Sequence, residues 1–167
     1  GPRDVSVVNP APGGGISEKR TFTIANNPVP TIATVNPTLG ARLARIDVVV
    51  TGTNFITGVT SVDFGAGIVA NQTVINSSTQ LTATISIGAA AATGVRSVSV
   101  TNAAPGGGTA TRASAFTVQN PVPTLTSVTP TNAQQLETKN LVFDGSGFIN
   151  GVTTVNMGTG ITVNSQT

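Results

Sequence analysis

The sequence predicts an all-β protein built of tandem β-sandwiches, with one complete repeat flanked by two partial repeats. The stretch NPVPTIATVNPTLG occupies residues 27–40, and the similar NPVPTLTSVTPTNA occupies residues 120–133, which is 93 positions later. Between them the chain consists of short β-branched runs ended by Gly, Asn or Pro, a pattern typical of strands and turns. We therefore expect one folding unit of 93 residues that recurs along the chain.

The segment around residue 84 shows the period of a half-buried strand. Leu81, Ala83 and Ile85 alternate with Thr82 and Thr84, which places apolar side chains on one face and polar side chains on the other. A helical period is weakly present only in GAAAATG at residues 88–94, which is short enough to be a loop or a single turn. About seven short strands without a helix indicate an immunoglobulin-like sandwich.

The flanks of the complete unit match it at the same spacing. RDVSVVNPAPGGG at residues 3–15 matches RSVSVTNAAPGGG at 96–108, and VFDGSGFINGVTTVNMGTGI at 142–161 matches VVTGTNFITGVTSVDFGAGI at 49–68. We therefore predict three segments. They are residues 1–26 as the C-terminal strands of a preceding repeat, residues 27–119 as a complete repeat, and residues 120–167 as the N-terminal half of a following repeat.

The tetrapeptide NPVP marks the joint between consecutive repeats. Prolines two positions apart favour an extended and stiff backbone, and they keep the preceding residue out of the helical region. We therefore predict short, semi-rigid joints. The joint residues are Asn27, Pro28, Val29, Pro30, Asn120, Pro121, Val122 and Pro123.

A pattern of Val-x-Gly-x-x-Phe followed by Val-x-Phe-Gly carries a resemblance to a known family. Its residues are Val50, Gly52, Phe55, Val62, Phe64 and Gly65, which recur as Phe143, Gly145, Phe148, Val155, Met157 and Gly158. This pattern resembles the IPT/TIG domain in its bacterial tandem form. The resemblance implies an immunoglobulin-like fold, in which we expect these residues to have structural roles and not to bind a ligand.

The composition argues against nucleic acid and membranes as partners. Only 8% of the residues are charged and the formal net charge is +2, so the field of the protein is weak. The sequence pI near 10.0 reflects the lack of groups that titrate near neutrality. No apolar run approaches the roughly 20 residues of a membrane-spanning helix. We predict no nucleic-acid binding and no membrane insertion.

The residue types needed for most catalytic sites are missing. The chain contains no His and no Cys, which excludes the common nucleophile triads, zinc-thiolate sites and disulfides. The glycine triplets at residues 13–15 and 106–108 lack the Lys-Ser/Thr and the helix of a phosphate loop. We interpret them as hairpin connections. We predict no catalytic, metal or cofactor-binding residue and no enzymatic activity.

The two partial repeats complement each other. Together they lack only the counterpart of residues 74–95, and each alone exposes strand edges and an apolar face that favour pairing with another chain. One hypothesis is therefore a head-to-tail polymer, in which Val5, Val7, Phe22 and Ile24 of one chain complete the C-terminal half of the next. The alternative is that these boundaries result from cutting a longer array.

The fold alone does not determine the function, but the resemblance and the composition reduce the number of candidate functions. Domains similar to IPT/TIG serve as spacers in bacterial surface proteins, as accessory modules of polysaccharide enzymes, and in receptors and Rel-type transcription factors. The Rel-type role needs basic loops that this chain lacks. We expect a non-enzymatic structural protein of the bacterial cell surface, extracellular, that acts as a stalk, spacer or filament subunit. The alternative is an accessory carbohydrate-binding or adhesin module with a glycan or a surface protein as its partner.

Overall fold

A computed structural model describes residues 1–166 as an all-β protein without a helix, as the sequence predicts. The strands are β1 (Pro2–Val5), β2 (Val8–Asn9), β3 (Gly15–Ile16), β4 (Arg20–Thr23), β5 (Thr31–Asn36), β6 (Leu39–Ala41), β7 (Arg45–Thr53), β8 (Thr60–Asp63), β9 (Ile68–Ser77), β10 (Gln80–Ile87), β11 (Gly94–Asn102), β12 (Gly108–Gln119), β13 (Thr124–Thr129) and β14 (Val142–Ser146). Residues 88–93 form a turn and a loop between β10 and β11.

Strands β5 to β12 form a sandwich of two four-stranded sheets. The first sheet has the order β5-β7-β10-β9, and the second has the order β6-β12-β11-β8. All neighbours are antiparallel except β6, which runs parallel to β12. The first sheet thus follows the A-B-E-D order of an immunoglobulin sandwich, and β8, β11 and β12 follow its C-F-G order. The immunoglobulin-like sandwich is confirmed, with β6 as a strand beyond the predicted seven.

The core lies between the two sheets and follows from the alternation along each strand. Leu81 pairs with Val50 and Ala83 pairs with Val48 across β10 and β7, and all four side chains are fully buried. The intervening threonines of β10 face outward. Fully burying a valine or leucine side chain contributes about 1.5–3 kcal/mol, so this inward row supplies a large part of the stability of the sandwich.

Two aromatic rings of the second sheet pack against each other in the core. Phe64 follows β8 and Phe116 lies on β12, and both are buried. Their ring centroids are 5.5 Å apart with an interplanar angle of 76°, the edge-to-face geometry that aromatic quadrupoles favour. Because the contact joins β12 to the end of β8, it also links two strands that are separated by β11 in the second sheet.

On the outer faces of the sheets, neighbouring strands are joined by hydrogen-bonded pairs of hydroxyl groups. Thr31 and Thr53 are joined by a hydrogen bond of 2.8 Å between their Oγ1 atoms, and Thr101 and Thr109 by one of the same length. Cross-strand threonine pairs of this kind each contribute a few tenths of a kcal/mol or more to a sheet. The outer faces are therefore polar although they carry few charges.

The segments on either side of the sandwich form separate two-stranded ribbons. β1 pairs with β4 and β2 pairs with β3 in the N-terminal hairpin, and β13 pairs with β14 in the C-terminal segment. The pairing repeats that of the sandwich 93 positions away: Asn9 opposes Gly15 as Asn102 opposes Gly108. Likewise Val128 opposes Phe143 as Val35 opposes Val50. The local structures recur, and the division into one complete and two partial repeats stays a prediction.

Phe116 and Phe22 provide a matched test of which segment carries the core. We expect Phe116→Ala to lower the free energy of unfolding of the sandwich by about 3–5 kcal/mol, because it removes a fully buried ring. Phe22→Ala removes an exposed ring at the equivalent place in the N-terminal hairpin, and in dilute solution we expect a change of less than about 0.5 kcal/mol. Urea denaturation of both variants checks this, and equal losses would contradict the assignment.

Candidate functional site

The first joint is hydrogen-bonded to the end of the sandwich that follows it. The backbone N–H of Asn27 donates to the carbonyl of Pro105 at 2.8 Å, and the N–H of Gly107 donates to the carbonyl of Asn27 at 2.6 Å. The side-chain Nδ2 of Asn27 donates to the carbonyl of Ala103 at 2.8 Å. The β11–β12 loop therefore holds both the backbone and the side chain of Asn27.

A buried asparagine of the sandwich is also hydrogen-bonded to the first joint. Asn102, at the end of β11, is 1% exposed. Its Nδ2 donates to the carbonyls of Pro28 at 2.8 Å and Asn54 at 2.7 Å, and its Oδ1 accepts from Thr60 Oγ1 at 2.6 Å. A buried amide that makes all of these hydrogen bonds stabilises the fold, whereas an unpaired polar group at the same place would destabilise it. We call this set of bonds the asparagine latch.

The rest of the first joint also contacts the sandwich. Asn54, at the end of β7, has a positive φ of 64°, and its Nδ2 donates to the carbonyl of Val29 at 2.8 Å. Pro30 is buried, while the side chain of Val29 is half exposed. Gly106 permits the close approach of the chain, because a Cβ there would meet the side chain of Asn26 and the backbone of Asn27. Each residue of this joint is thus held at the end of the sandwich.

The second joint, Asn120 to Pro123, borders an open cleft of about 250 Å³. The opposite wall includes Gly147, Ile149 and Thr153. These residues lie 93 positions after Asn54, Ile56 and Thr60, which surround the asparagine latch in the sandwich. The wall keeps its local bonds, since the N–H of Ile149 donates to Thr153 Oγ1 at 2.7 Å as that of Ile56 does to Thr60.

The four residues predicted to contact another chain lie exposed on the N-terminal hairpin. Their exposed fractions are 51% for Val5, 71% for Val7, 61% for Phe22 and 46% for Ile24. Their counterparts in the sandwich are the fully buried Val98, Val100, Phe116 and Val118. Apolar residues at matching places of the two motifs are thus buried in the sandwich and exposed in the hairpin. This contrast identifies an unpaired apolar face.

The C-terminal segment exposes the face that would lie opposite. Phe148 is 38% exposed and Ile161 is 56% exposed, whereas their counterparts Phe55 and Ile68 are 3% and 7% exposed in the sandwich. Phe148 keeps its contact with β14, where a Cβ on Gly145 would collide with the ring. Within residues 120–166, β13 and β14 are therefore paired, but no second sheet packs against them.

The side chains that support catalysis or metal binding do not converge in the described part of the chain. Within residues 1–166 no three residues of the types His, Cys, Asp and Glu lie together. No helix in that range is both long enough and apolar enough to cross a membrane. The residues brought together at the joints are amides, hydroxyls, carbonyls and prolines, which can hold protein segments by hydrogen bonds.

The sequence predicts the joints, but Asn102 and the cleft were not predicted from it. A signal was present, because Asn9 and Asn102 occupy the same place in the two matching motifs NPAPGGG and NAAPGGG. Asparagine before a turn is common, however, because its side chain stabilises turns locally. Its role as a buried latch depends on the distant carbonyls of Pro28 and Asn54, which only the folded sandwich places beside it.

Comparisons with known proteins add no family to this description. A scan against protein-family models finds no match, and a search of curated proteins finds no significant match. The IPT/TIG resemblance therefore stays a prediction that rests on the residues quoted for it.

The asparagine latch makes a direct prediction for stability. Asn102→Ala leaves the carbonyls of Pro28 and Asn54 without the amide that donates to them and the hydroxyl of Thr60 without its acceptor, and we expect it to lower the free energy of unfolding by about 2–4 kcal/mol. Asn9→Ala is the matched control, because Asn9 is exposed in the same motif. Chemical denaturation in dilute solution measures both. An Asn102→Ala variant as stable as the parent chain would refute the latch.

Proposed function

We propose that this protein is a non-enzymatic structural protein, a stalk, spacer or filament subunit of tandem immunoglobulin-like domains on a bacterial cell surface. The work of such a protein is to hold other groups at a fixed distance. Its essential physical property is the stiffness of the connection between successive domains, because a flexible connection lets the chain fold back on itself.

The single observation that carries the proposal is the fixed geometry of the first joint. The carbonyls of Asn27, Pro28 and Val29 each accept a hydrogen bond from the end of the sandwich. Consecutive peptide groups held in this way cannot rotate independently, and the prolines between them restrict φ further. A joint that is bonded along its length favours a rod over a chain of loosely tethered domains.

The surface chemistry supports the same role. The outer strand faces are covered with paired hydroxyls, which stay hydrated without attracting charged partners. Three of the eight basic residues make hydrogen bonds within the chain, because Arg42, Arg96 and Arg112 donate to the backbone carbonyls of Ala91, Ala92 and Ala33. A surface with so few charges attracts other molecules only weakly. It therefore suits a protein that lies in a crowded layer without binding its neighbours.

Distance measurements between two spin labels test the stiffness of the first joint. The chain contains no Cys, so Thr21→Cys on β4 and Gln72→Cys on β9 introduce the only two labelling sites. Both positions are exposed. We expect one narrow distance distribution from pulsed electron spin resonance of the dilute double variant, because the joint bonds hold residues 27–29 at the end of the sandwich and leave only Ala25 and Asn26 between them and the paired strands of the hairpin.

The matched control inserts six Gly/Ser residues between Asn26 and Asn27 in the same double variant. A flexible linker of that length broadens the distribution by on the order of 10 Å. A parent distribution as broad as that of the insertion variant would show a loose joint and would contradict the proposed role as a stiff spacer.

A further inference from the structure

The sequence contains a single asparagine that is followed by glycine, the pair Asn150 and Gly151. In such a pair the backbone nitrogen of the glycine can approach the side-chain amide of the asparagine, because no Cβ obstructs it. The other asparagines precede proline or a residue with a side chain. Proline has no backbone N–H, and a side chain at the next position hinders the approach. Asn150 is therefore the asparagine whose local sequence most favours attack on its own amide.

The structure places this pair at the centre of a tight turn after β14. The N–H of Val152 donates to the carbonyl of Ile149 at 3.0 Å, and the N–H of Thr153 donates to the same carbonyl at 2.9 Å. The pair thus occupies the two central positions of a β-turn, whose hydrogen bond joins the first residue to the fourth. Gly151 has a positive φ of 73°, which glycine adopts without strain. The two hydrogen bonds of the turn use the N–H groups of Val152 and Thr153 and not that of Gly151.

Both central residues of the turn are open to water. Asn150 and Gly151 are exposed, and a Cβ added to Gly151 would meet nothing within 4 Å. The equivalent turn of the sandwich, at residues 56–60, has the same two hydrogen bonds to its first carbonyl, and its two central residues are also exposed. The turn is thus exposed even where two complete sheets pack together. The exposure of Asn150 is therefore a property of the turn itself.

We propose that Asn150 is a site of spontaneous deamidation. The backbone nitrogen of Gly151 attacks the side-chain carbonyl carbon of Asn150, and a new C–N bond closes a cyclic imide. The proton of the attacking nitrogen passes to the side-chain amide nitrogen, which leaves as ammonia. Water then adds to one of the two imide carbonyls and breaks its bond to the ring nitrogen. Opening at the side-chain carbonyl gives aspartate, and opening at the backbone carbonyl gives isoaspartate. Water is the only co-reactant, and no atom changes its oxidation state.

The products change the turn in ways that the structure defines. Either product replaces a neutral amide by a carboxylate, so the formal net charge falls from +2 to +1 through the one added negative charge. Isoaspartate also lengthens the backbone by one methylene group. The hydrogen bonds from Val152 and Thr153 to Ile149 then lose their geometry, because both close this short loop. Thr153 also lines the cleft beside the second joint, so isoaspartate formation alters the surroundings of that joint.

Peptide mapping by mass spectrometry tests the proposal with the full chain. The folded protein is incubated at neutral and at mildly alkaline pH, and the fraction of each asparagine that has become an acid is followed over time. We expect Asn150 to convert first and to give both aspartate and isoaspartate, because both arise from one imide. The rate should increase with pH, because the attacking nitrogen of Gly151 must lose its proton. These expectations concern one turn and do not rest on the proposed function.

A matched variant and an unfolded sample complete the experiment. Asn150→Thr introduces the residue that the equivalent turn has at Thr57, and it should abolish the isoaspartate signal of this peptide without changing the conversion of the other asparagines. The same incubation in concentrated urea gives the conversion of the unfolded chain. If Asn150 stays intact in the folded chain but converts in urea, the turn protects it and the proposal is overturned. Earlier conversion of another asparagine in the folded chain, or aspartate without isoaspartate, would also overturn it.

Discussion

The buried amide of Asn102 is the interaction on which the organisation of this protein depends. It is the one polar side chain that is buried within residues 1–166, and it connects the end of β11, the first joint and the turn after β7. Because water is excluded there, each of its bonds must be made by the protein. The joint therefore has a defined position only when the sandwich is folded.

The same local structure occurs in a closed and an open form along the chain. In residues 31–119 the two sheets cover each other, and the inward side chains are buried. In the terminal segments β13 and β14 pair in the register of β5 and β7, and β1 and β4 keep the register of β11 and β12 at Pro2 and Arg3, but within residues 1–166 each segment has only one of the two facing layers. Two-stranded ribbons are marginally stable in water without a packed face.

Much of the fold could be predicted from the sequence, because its signals are local. The alternation around Ile85 predicts a half-buried strand, and that strand is β10 with its odd-numbered side chains in the core. The glycine triplet at residues 106–108 predicts the hairpin between β11 and β12, as observed. The repeat spacing of 93, with a slip of one residue before Phe22, aligns the apolar residues of the hairpin with core residues of the sandwich. These features depend on backbone preferences and on a period of two.

The site could be predicted only in part, because its key contacts join residues far apart in the chain. Asn102 and Pro28 are separated by 74 positions, and no local pattern shows that an asparagine side chain will meet that carbonyl. The prolines indicated stiffness at the joint, but the bonds that hold it come from the loop at residues 103–107. The cleft was missed for the same reason, since its walls are recognisable only beside the filled example in the sandwich.

Amide hydrogen exchange of the whole chain tests the central claim most directly. Exchange reports on the opening of each segment separately. We expect slow exchange in β11 and β12 and at the amides of Asn27 and Gly107, which are hydrogen-bonded at the first joint, and fast exchange in the exposed β1 and β4. Fast exchange at Asn27 and Gly107, or in β11 and β12, would contradict the claim that the folded sandwich holds the joint.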